Sequence, residues 1–353
     1  MPASKLTLPV IDIAPFLPAS RGLPHAVEGR KAIAAAVHDA CLRAGFFYLT
    51  GVESVVTDKE MDEALEVTRA FFDRPAEEKN ALKILQPDGA RGYQRLGENK
   101  TLGRPDAHEG WDAYHDPVVD NSSCLLGGQN RWPLQPRSFR PTFERWVEKM
   151  HVLGMALMEA TAMALGIDTE KDETGEWEKI KRWVDDPFWV MRTIGYPPLP
   201  KEAEGVSCGA HKDYGNWTLL HADSTQGALQ AFLQDPAGDS VENGVRGKWV
   251  NADPVEGTFI VNIGEMVEIY SAGLYKATLH RVIHLSPNYR VSIPFFYEPS
   301  FDSVIEPLPS AIRLRKQLLT AEEAAASPIP DPQHYGRFLE SKVAGNFYHA
   351  SEQ

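Results

Sequence analysis

A mainly β fold with helices packed around it is predicted, and three observations predict it. Between residues 189 and 297, short apolar runs alternate with turn residues, the spacing of a sandwich or barrel. Ahead of that region lie apolar stripes at helical spacing, and after about Ser310 the helical pattern returns. A composition 43% hydrophobic and 10% aromatic over 353 residues is ample for a sizeable core.

The elements follow in order. Leu8-Pro9-Val10-Ile11-Asp12-Ile13 reads as a short strand. Residues 27–44 read as a helix, with Ile33, Val37, Ala40, Cys41 and Ala44 on one stripe and Gly45 as its stop. The aromatic run 45–49 is a strand, 58–72 a second helix, and Arg74-Pro75 a boundary. Residues 86–140, rich in Gly, Pro and Asn, read mostly as loops. The longest helix begins near Pro141, a residue suited to a first helical turn. It carries Phe143, Trp146, Val147, Met150, Leu153, Leu157 and Leu165, and Gly166 closes it. Segments 217–220, 228–232, 248–250, 258–262 and 291–293 are strand-like, with turns at Asp235-Pro236, Gly244, Asp253-Pro254, Gly264 and Pro287-Asn288. A Pro-rich stretch, 328–332, interrupts the C-terminal helices. The chain divides into a mixed helical part, 1–140, a β core with its supporting long helix, 141–300, and a helical tail, 301–353. Together they form one integrated unit.

Charge narrows the function. With 36 Lys and Arg against 49 Asp and Glu, the net charge is -13, and no basic cluster is present. Nucleic acid and anionic membranes, which need clustered cations, are not expected partners. Three scattered cysteines form neither a disulfide framework nor a zinc finger. Residues 1–16 lack the apolar region of a signal peptide, and no stretch is apolar enough to span a bilayer. A cytoplasmic monomer acting on a small molecule is expected.

The chemistry is concentrated in two motifs. His211-x-Asp213 and a distant His280 supply two imidazoles and one carboxylate. Such a facial triad leaves the remaining metal positions open and favours non-haem Fe(II) and oxygen chemistry. His221, inside a strand pattern, reads as structural. His284 lies four residues after His280, about 13 Å along an extended strand, so the two cannot share one ion there. The second motif is Arg290-Val291-Ser292. Residues two apart on a strand share a face. Arg290 and Ser292 could therefore hold the far carboxylate of a dicarboxylic co-substrate, as 2-oxoglutarate is, since a buried Arg needs an anion and guanidinium matches carboxylate. Tyr196 could add a phenol hydrogen bond.

These residues, in this order, resemble the Fe(II)/2-oxoglutarate-dependent oxygenases of the isopenicillin N synthase-like class, over roughly residues 8 to 300. The resemblance is carried by Leu8-Pro9-Val10-Ile11-Asp12, Gly45-Phe46-Phe47-Tyr48, Arg91-Gly92-Tyr93, Tyr196-Pro197-Pro198, the stretch from His211 to Gly215, Asn262-Ile263-Gly264-Glu265, the stretch from Gly273 to Val282, and Arg290-Val291-Ser292. Glu265 stands where that class usually has Asp, and Ile194 where many plant members have Asn. The resemblance implies a double-stranded β-helix, a distorted jelly roll, wrapped by helices, with the metal in the barrel mouth. It implies Fe(II) on His211, Asp213 and His280, and 2-oxoglutarate held by Arg290 and Ser292 with Tyr196 or Arg192. It also implies O2 consumed as 2-oxoglutarate is decarboxylated to succinate and a C–H bond is hydroxylated.

A narrower similarity lies in residues 97–106, which look like a loop of the microbial ethylene-forming enzymes, proteins that bind 2-oxoglutarate and L-arginine. There a second Glu, associated with the arginine guanidinium, stands where this chain has Asn99. From this context Tyr93, Glu98, Asn99, Thr101, Arg192, Trp217 and Phe296 are candidate substrate-facing residues. Three competing readings exist: an oxidase of the same fold that uses no 2-oxoglutarate, a non-enzymatic β-barrel binder, and a structural zinc protein. The intact triad opposes the second, and the lack of a nearby fourth ligand opposes the third.

Overall fold

The computed structural model describes residues 7–23, 26–86, 88–101, 103–117, 124–199 and 206–347. Residues 1–6 and Leu102, which figure in the sequence reading, lie outside these segments, as do residues 348–353. Two sheets form the core. The larger has eight strands in the order Val10–Asp12, Phe46–Thr50, Phe259–Ile263, Trp217–Ala222, Arg290–Tyr297, Trp189–Tyr196, Glu109–Tyr114 and Gly92–Gln94. The first pair is parallel and every other pair antiparallel. The smaller sheet runs Ser240–Glu242, Val245–Asn251, Leu229–Gln234, His280–Val282 and Cys208–His211, all antiparallel. The pair makes a jelly roll with helices around it, the fold class expected.

Strand periodicity decides what faces what. Leu229, Ala231 and Leu233 alternate along one strand of the small sheet, so they share a face. They pack with Ile194, Tyr196 and Ile260 of the large sheet in a cluster between the layers. The opposite face of the large sheet, with Leu219, Val261, Val291, Ile293 and Phe295, packs on the helix Phe139–Ala164 through Phe143, Trp146, Met150, Leu153 and Leu157. Close approach is possible because residue 154 is glycine: a Cβ there would stand 2.4 Å from the Tyr297 ring. The helix Asp58–Phe72 starts at Thr57, whose hydroxyl accepts from the Glu60 backbone N–H while the Glu60 carboxylate accepts from Thr57. The first long helix, Ala26–Arg43, ends at Gly45, whose φ of +61° suits glycine. Among the described residues no helix is long and apolar enough to cross a membrane.

The structure sharpens the sequence reading in three places. Residues 86–140 are mostly loop among those described, as expected, but they also hold Gly92–Gln94 and Glu109–Tyr114, strands of the large sheet that the sequence reading did not name. Nearly every residue of Glu109–Tyr114 is buried, so the two-residue alternation that betrays a strand is missing, and Gly110 and Asp112 are poor strand formers. Cys208–His211 is a strand with no apolar run to announce it. The longest helix starts at Phe139, two residues before Pro141.

Candidate active site

Register brings the distant imidazoles together. His211 and His280 are directly paired on neighbouring strands of the small sheet, with ring centroids 4.3 Å apart. Each ring is fixed from behind by a carbonyl two residues back. Nδ1 of His211 lies 2.7 Å from the Gly209 oxygen, and Nδ1 of His280 lies 3.0 Å from that of Thr278. With Nδ1–H donating there, each neutral ring presents its Nε2 lone pair to a metal. Without one, burial lowers His211, but Cys208, Asp213 and the Gly209 carbonyl outweigh it and push the ring up to about 10, so a bound ion displaces a proton there. Each Nε2 lies 3.6 Å from Oδ1 of Asp213.

Asp213 is fixed in the same way. Its Oδ2 accepts from the Thr218 hydroxyl at 2.5 Å and from the Asn262 amide at 2.6 Å, which leaves Oδ1 facing the two imidazoles. Burial pushes the Asp213 carboxyl up, but the two imidazoles and these two donors hold it below the usual range. Burial lowers His280 to about 4, so it is neutral, the form that binds a metal. Two nitrogens and one oxygen at these separations fit a single first-row ion with bonds of about 2.1 Å, and cavities border the set. His221 and His284 take no part. His221 Nε2 bonds the Met61 carbonyl, and His284 Nε2 that of Asn288 at 2.7 Å.

Beside the triad lies a cavity of about 70 Å³, lined by Arg290, Ser292, Tyr196 and Arg192 as well as all three triad residues. Arg290 is 1% exposed, and its Nε and Nη1 have no hydrogen-bond partner. Its guanidinium carbon stands 4.7 Å from the Tyr196 ring centroid, and the two residues face each other across paired strands. A buried guanidinium with two free donors and no counter-ion is costly, and a carboxylate entering this cavity would satisfy it.

A second cavity, of about 200 Å³, adjoins the first at the triad. His211, Asp213, Arg192, Cys208 and Phe296 border both spaces. Asn99, Thr101, Asp112, Tyr214 and Glu298 line the outer one. Of the substrate-facing candidates, Asn99, Thr101, Arg192 and Phe296 are therefore here. Asn99 and Thr101 are not free, however: both donate to Asp106, at 2.6 and 2.8 Å. Arg192 Nε donates to Asp112 at 2.9 Å, while its Nη2 is buried without a partner.

Three candidates are corrected. Tyr93 is a core residue whose hydroxyl bonds Glu109, Glu98 folds back onto Arg95, and Trp217 is buried against Phe47, so none lines the cavity. A neighbouring charge satisfies Glu98, and the core face of its strand takes Trp217. Sequence reasoning also missed Asp112, Thr218, Asn262 and Glu298. For Glu298 a signal existed: a lone carboxylate ends the apolar strand Arg290–Tyr297.

Comparison with known proteins agrees with this geometry. Residues 8–135 match the family described as non-haem dioxygenase in morphine synthesis N-terminal, and residues 186–299 match the 2OG-Fe(II) oxygenase superfamily. The chain is 38% identical to a homoarginine-6-hydroxylase of Glycine max over 97% of both proteins. It is 37% identical to one of Oryza sativa subsp. japonica, over 96% of this chain and 97% of the relative. Among solved structures, full-length Neurospora crassa T7H in complex with alpha-KG superposes with a TM-score of 0.75 at 24% identity, covering 98% of both chains. At that identity the likeness is one of fold.

Proposed function

This chain belongs to the 2OG-Fe(II) oxygenase superfamily, and on that basis we propose that it hydroxylates an amino acid bearing a guanidino side chain, with Arg290 and Ser292 holding 2-oxoglutarate. Fe(II), 2-oxoglutarate and O2 are the cofactor and co-substrates of this class, and the His-Asp-His triad fits the iron. The observation that carries the co-substrate assignment is Arg290, buried, without a counter-ion, and lining a cavity shared with the triad. The guanidino substrate rests on the homoarginine-6-hydroxylases that this chain resembles over nearly its whole length.

In this reading the iron, when bound, supplies the redox centre at which O2 oxidises 2-oxoglutarate to succinate and CO2 and a substrate C–H to C–OH. The protein supplies geometry. Arg290, whose Nε and Nη1 lack partners, pairs its guanidinium with the far carboxylate of 2-oxoglutarate, supported by Ser292 and by the Tyr196 ring beneath. Arg192, held by Asp112, stands at the junction of the two cavities and points no titratable proton into the reaction. The outer cavity takes the primary substrate next to His211 and Asp213.

The test is turnover with Fe(II), 2-oxoglutarate and either L-homoarginine or L-arginine, reading succinate and a product carrying one added oxygen. Substrate-dependent succinate with matching product is expected. Succinate formation indifferent to both amino acids would overturn the substrate. Ethylene in the headspace would instead favour the ethylene-forming reading raised by residues 97–106.

A further inference from the structure

We propose that Glu298 receives the cationic end of the primary substrate. This rests on the reading of the outer cavity as the substrate site. Three carboxyl groups line that cavity: Asp112, Asp213 and Glu298. Two are spent. Asp213 faces both imidazoles and takes hydrogen bonds from Thr218 and Asn262. Asp112 takes Arg192 Nε on one oxygen and the Gln94 amide on the other. Glu298 is left over, 3% exposed, with Oε2 buried and lacking a hydrogen-bond partner. The Tyr335 hydroxyl lies near enough to ease its ionisation, but not in good hydrogen-bonding geometry.

The place is built for this carboxyl. A Cβ on Gly215 would stand 1.1 Å from Oε2, so any side chain at 215 would evict it. Gly215 is two residues past Asp213, and the carboxyl is thereby packed on the backbone of the metal-binding turn. Lys100, on the hairpin above, also lines the cavity but makes no ion pair with Glu298 among the described residues, and the Asn99 amide beside it is committed to Asp106. Burial holds Glu298 up, at about 8, so in the empty cavity it is protonated and neutral near pH 7. A guanidinium or ammonium would give the ionised form the partner it lacks. The same cavity holds a spare donor, Arg192 Nη2. An amino acid with a basic side chain carries both complements, one at each end.

Calorimetric titration of protein loaded with Mn(II) and 2-oxoglutarate tests this without turnover. The probes are L-homoarginine, L-arginine and L-lysine, with L-citrulline as the neutral analogue of arginine. Wild type is expected to bind a cationic probe at least about tenfold tighter than citrulline, a charge-assisted preference worth about 1.4 kcal/mol or more. E298Q keeps the shape and should bring that ratio to near one, chiefly by losing the cation. E298D, with its carboxylate withdrawn, should fall between, and it carries the test if E298Q does not fold. Discrimination retained in E298Q overturns the role of Glu298 and leaves the guanidino reading standing. Tight binding of lysine alone, lost in E298Q, does the reverse. A wild type that binds citrulline as well as any cation overturns the proposal outright.

Discussion

Asn262 stands directly opposite Thr218 on adjacent strands of the large sheet, and both side chains converge on the same oxygen of Asp213. The small sheet supplies the two imidazoles, and the large sheet aims the carboxylate at them. The metal centre therefore depends on how the two layers meet, not on one loop. Loss of either donor frees Asp213 to turn Oδ1 away. Asn262→Ala is expected to weaken Mn(II) or Fe(II) binding about 10–100-fold, the range for partners that orient a ligand. Thr218→Val should act in the same direction. Metal titration of the two variants checks this, and wild-type affinity in both would show that Asp213 needs no such clamp.

Arg290 is expected to have opposite effects on the free and the loaded protein. Without co-substrate its Nε and Nη1 are buried donors with nothing to bind. Arg290→Met removes that penalty, so the free variant should melt at or above the wild-type temperature. Wild type should gain about 2.7 kcal/mol of stability when 2-oxoglutarate reaches a hundred times its Kd, and the variant should gain almost none at the same concentration. Thermal melts with and without 2-oxoglutarate measure both effects. Equal stabilisation of both proteins by 2-oxoglutarate would remove Arg290 from the co-substrate site.

How legible this was depended on the reach of each signal. The triad was readable because its chemistry needs particular side chains, and a two-residue spacing on a strand survives any loop, which puts both Arg290 and Ser292 at the cavity beside it. The helix Asp58–Phe72 was readable to the residue because its apolar stripe and cap are local. Glu109–Tyr114 was not, because it is buried on both faces and carries Gly110 and Asp112. The substrate candidates fared unevenly for a related reason. Motif context placed Asn99 and Thr101 at the cavity, but only coordinates could show that Asp106 occupies their polar groups. Glu298 carried only a weak signal, a lone carboxylate after an apolar strand, and the missing hydrogen-bond partner that marks it shows only in three dimensions.

Asp106 fastens the hairpin of residues 100–105 to the metal-bearing strand. Its two oxygens together take the Asn99 amide, the Thr101 hydroxyl and the Gly209 N–H, the last at 2.9 Å. The Gly209 carbonyl in turn accepts a hydrogen bond from His211 Nδ1–H. Asp106→Ala leaves three half-buried donors without their acceptor, a loss on the order of 1 kcal/mol of stability or more. The freed hairpin covers the outer cavity less well, so 2-oxoglutarate is consumed more often without substrate oxidation. The ratio of succinate to hydroxylated product should rise above the wild-type value. A ratio that stays at the wild-type value would limit Asp106 to a structural role.

Glu298 should also leave its mark on stability as a function of pH. Its carboxyl rises from an ordinary 4.5 to about 8, chiefly through burial, with the Asp213 charge adding and Tyr335 opposing. Between those values the folded protein holds a proton that the unfolded chain has released. Stability contributed by this group is thus complete below about pH 4.5 and drains away as pH climbs toward 8, by at most about 1.4 kcal/mol per unit. Glu298→Gln has no proton to lose and lacks that slope. Melting temperatures of metal-free wild type and E298Q should therefore diverge steadily between about pH 5 and 8, with the variant higher at the alkaline end. Above pH 8 the gap should stop growing. Parallel curves across that window would mean that the carboxyl ionises freely inside the fold, which its burial and missing partner do not allow.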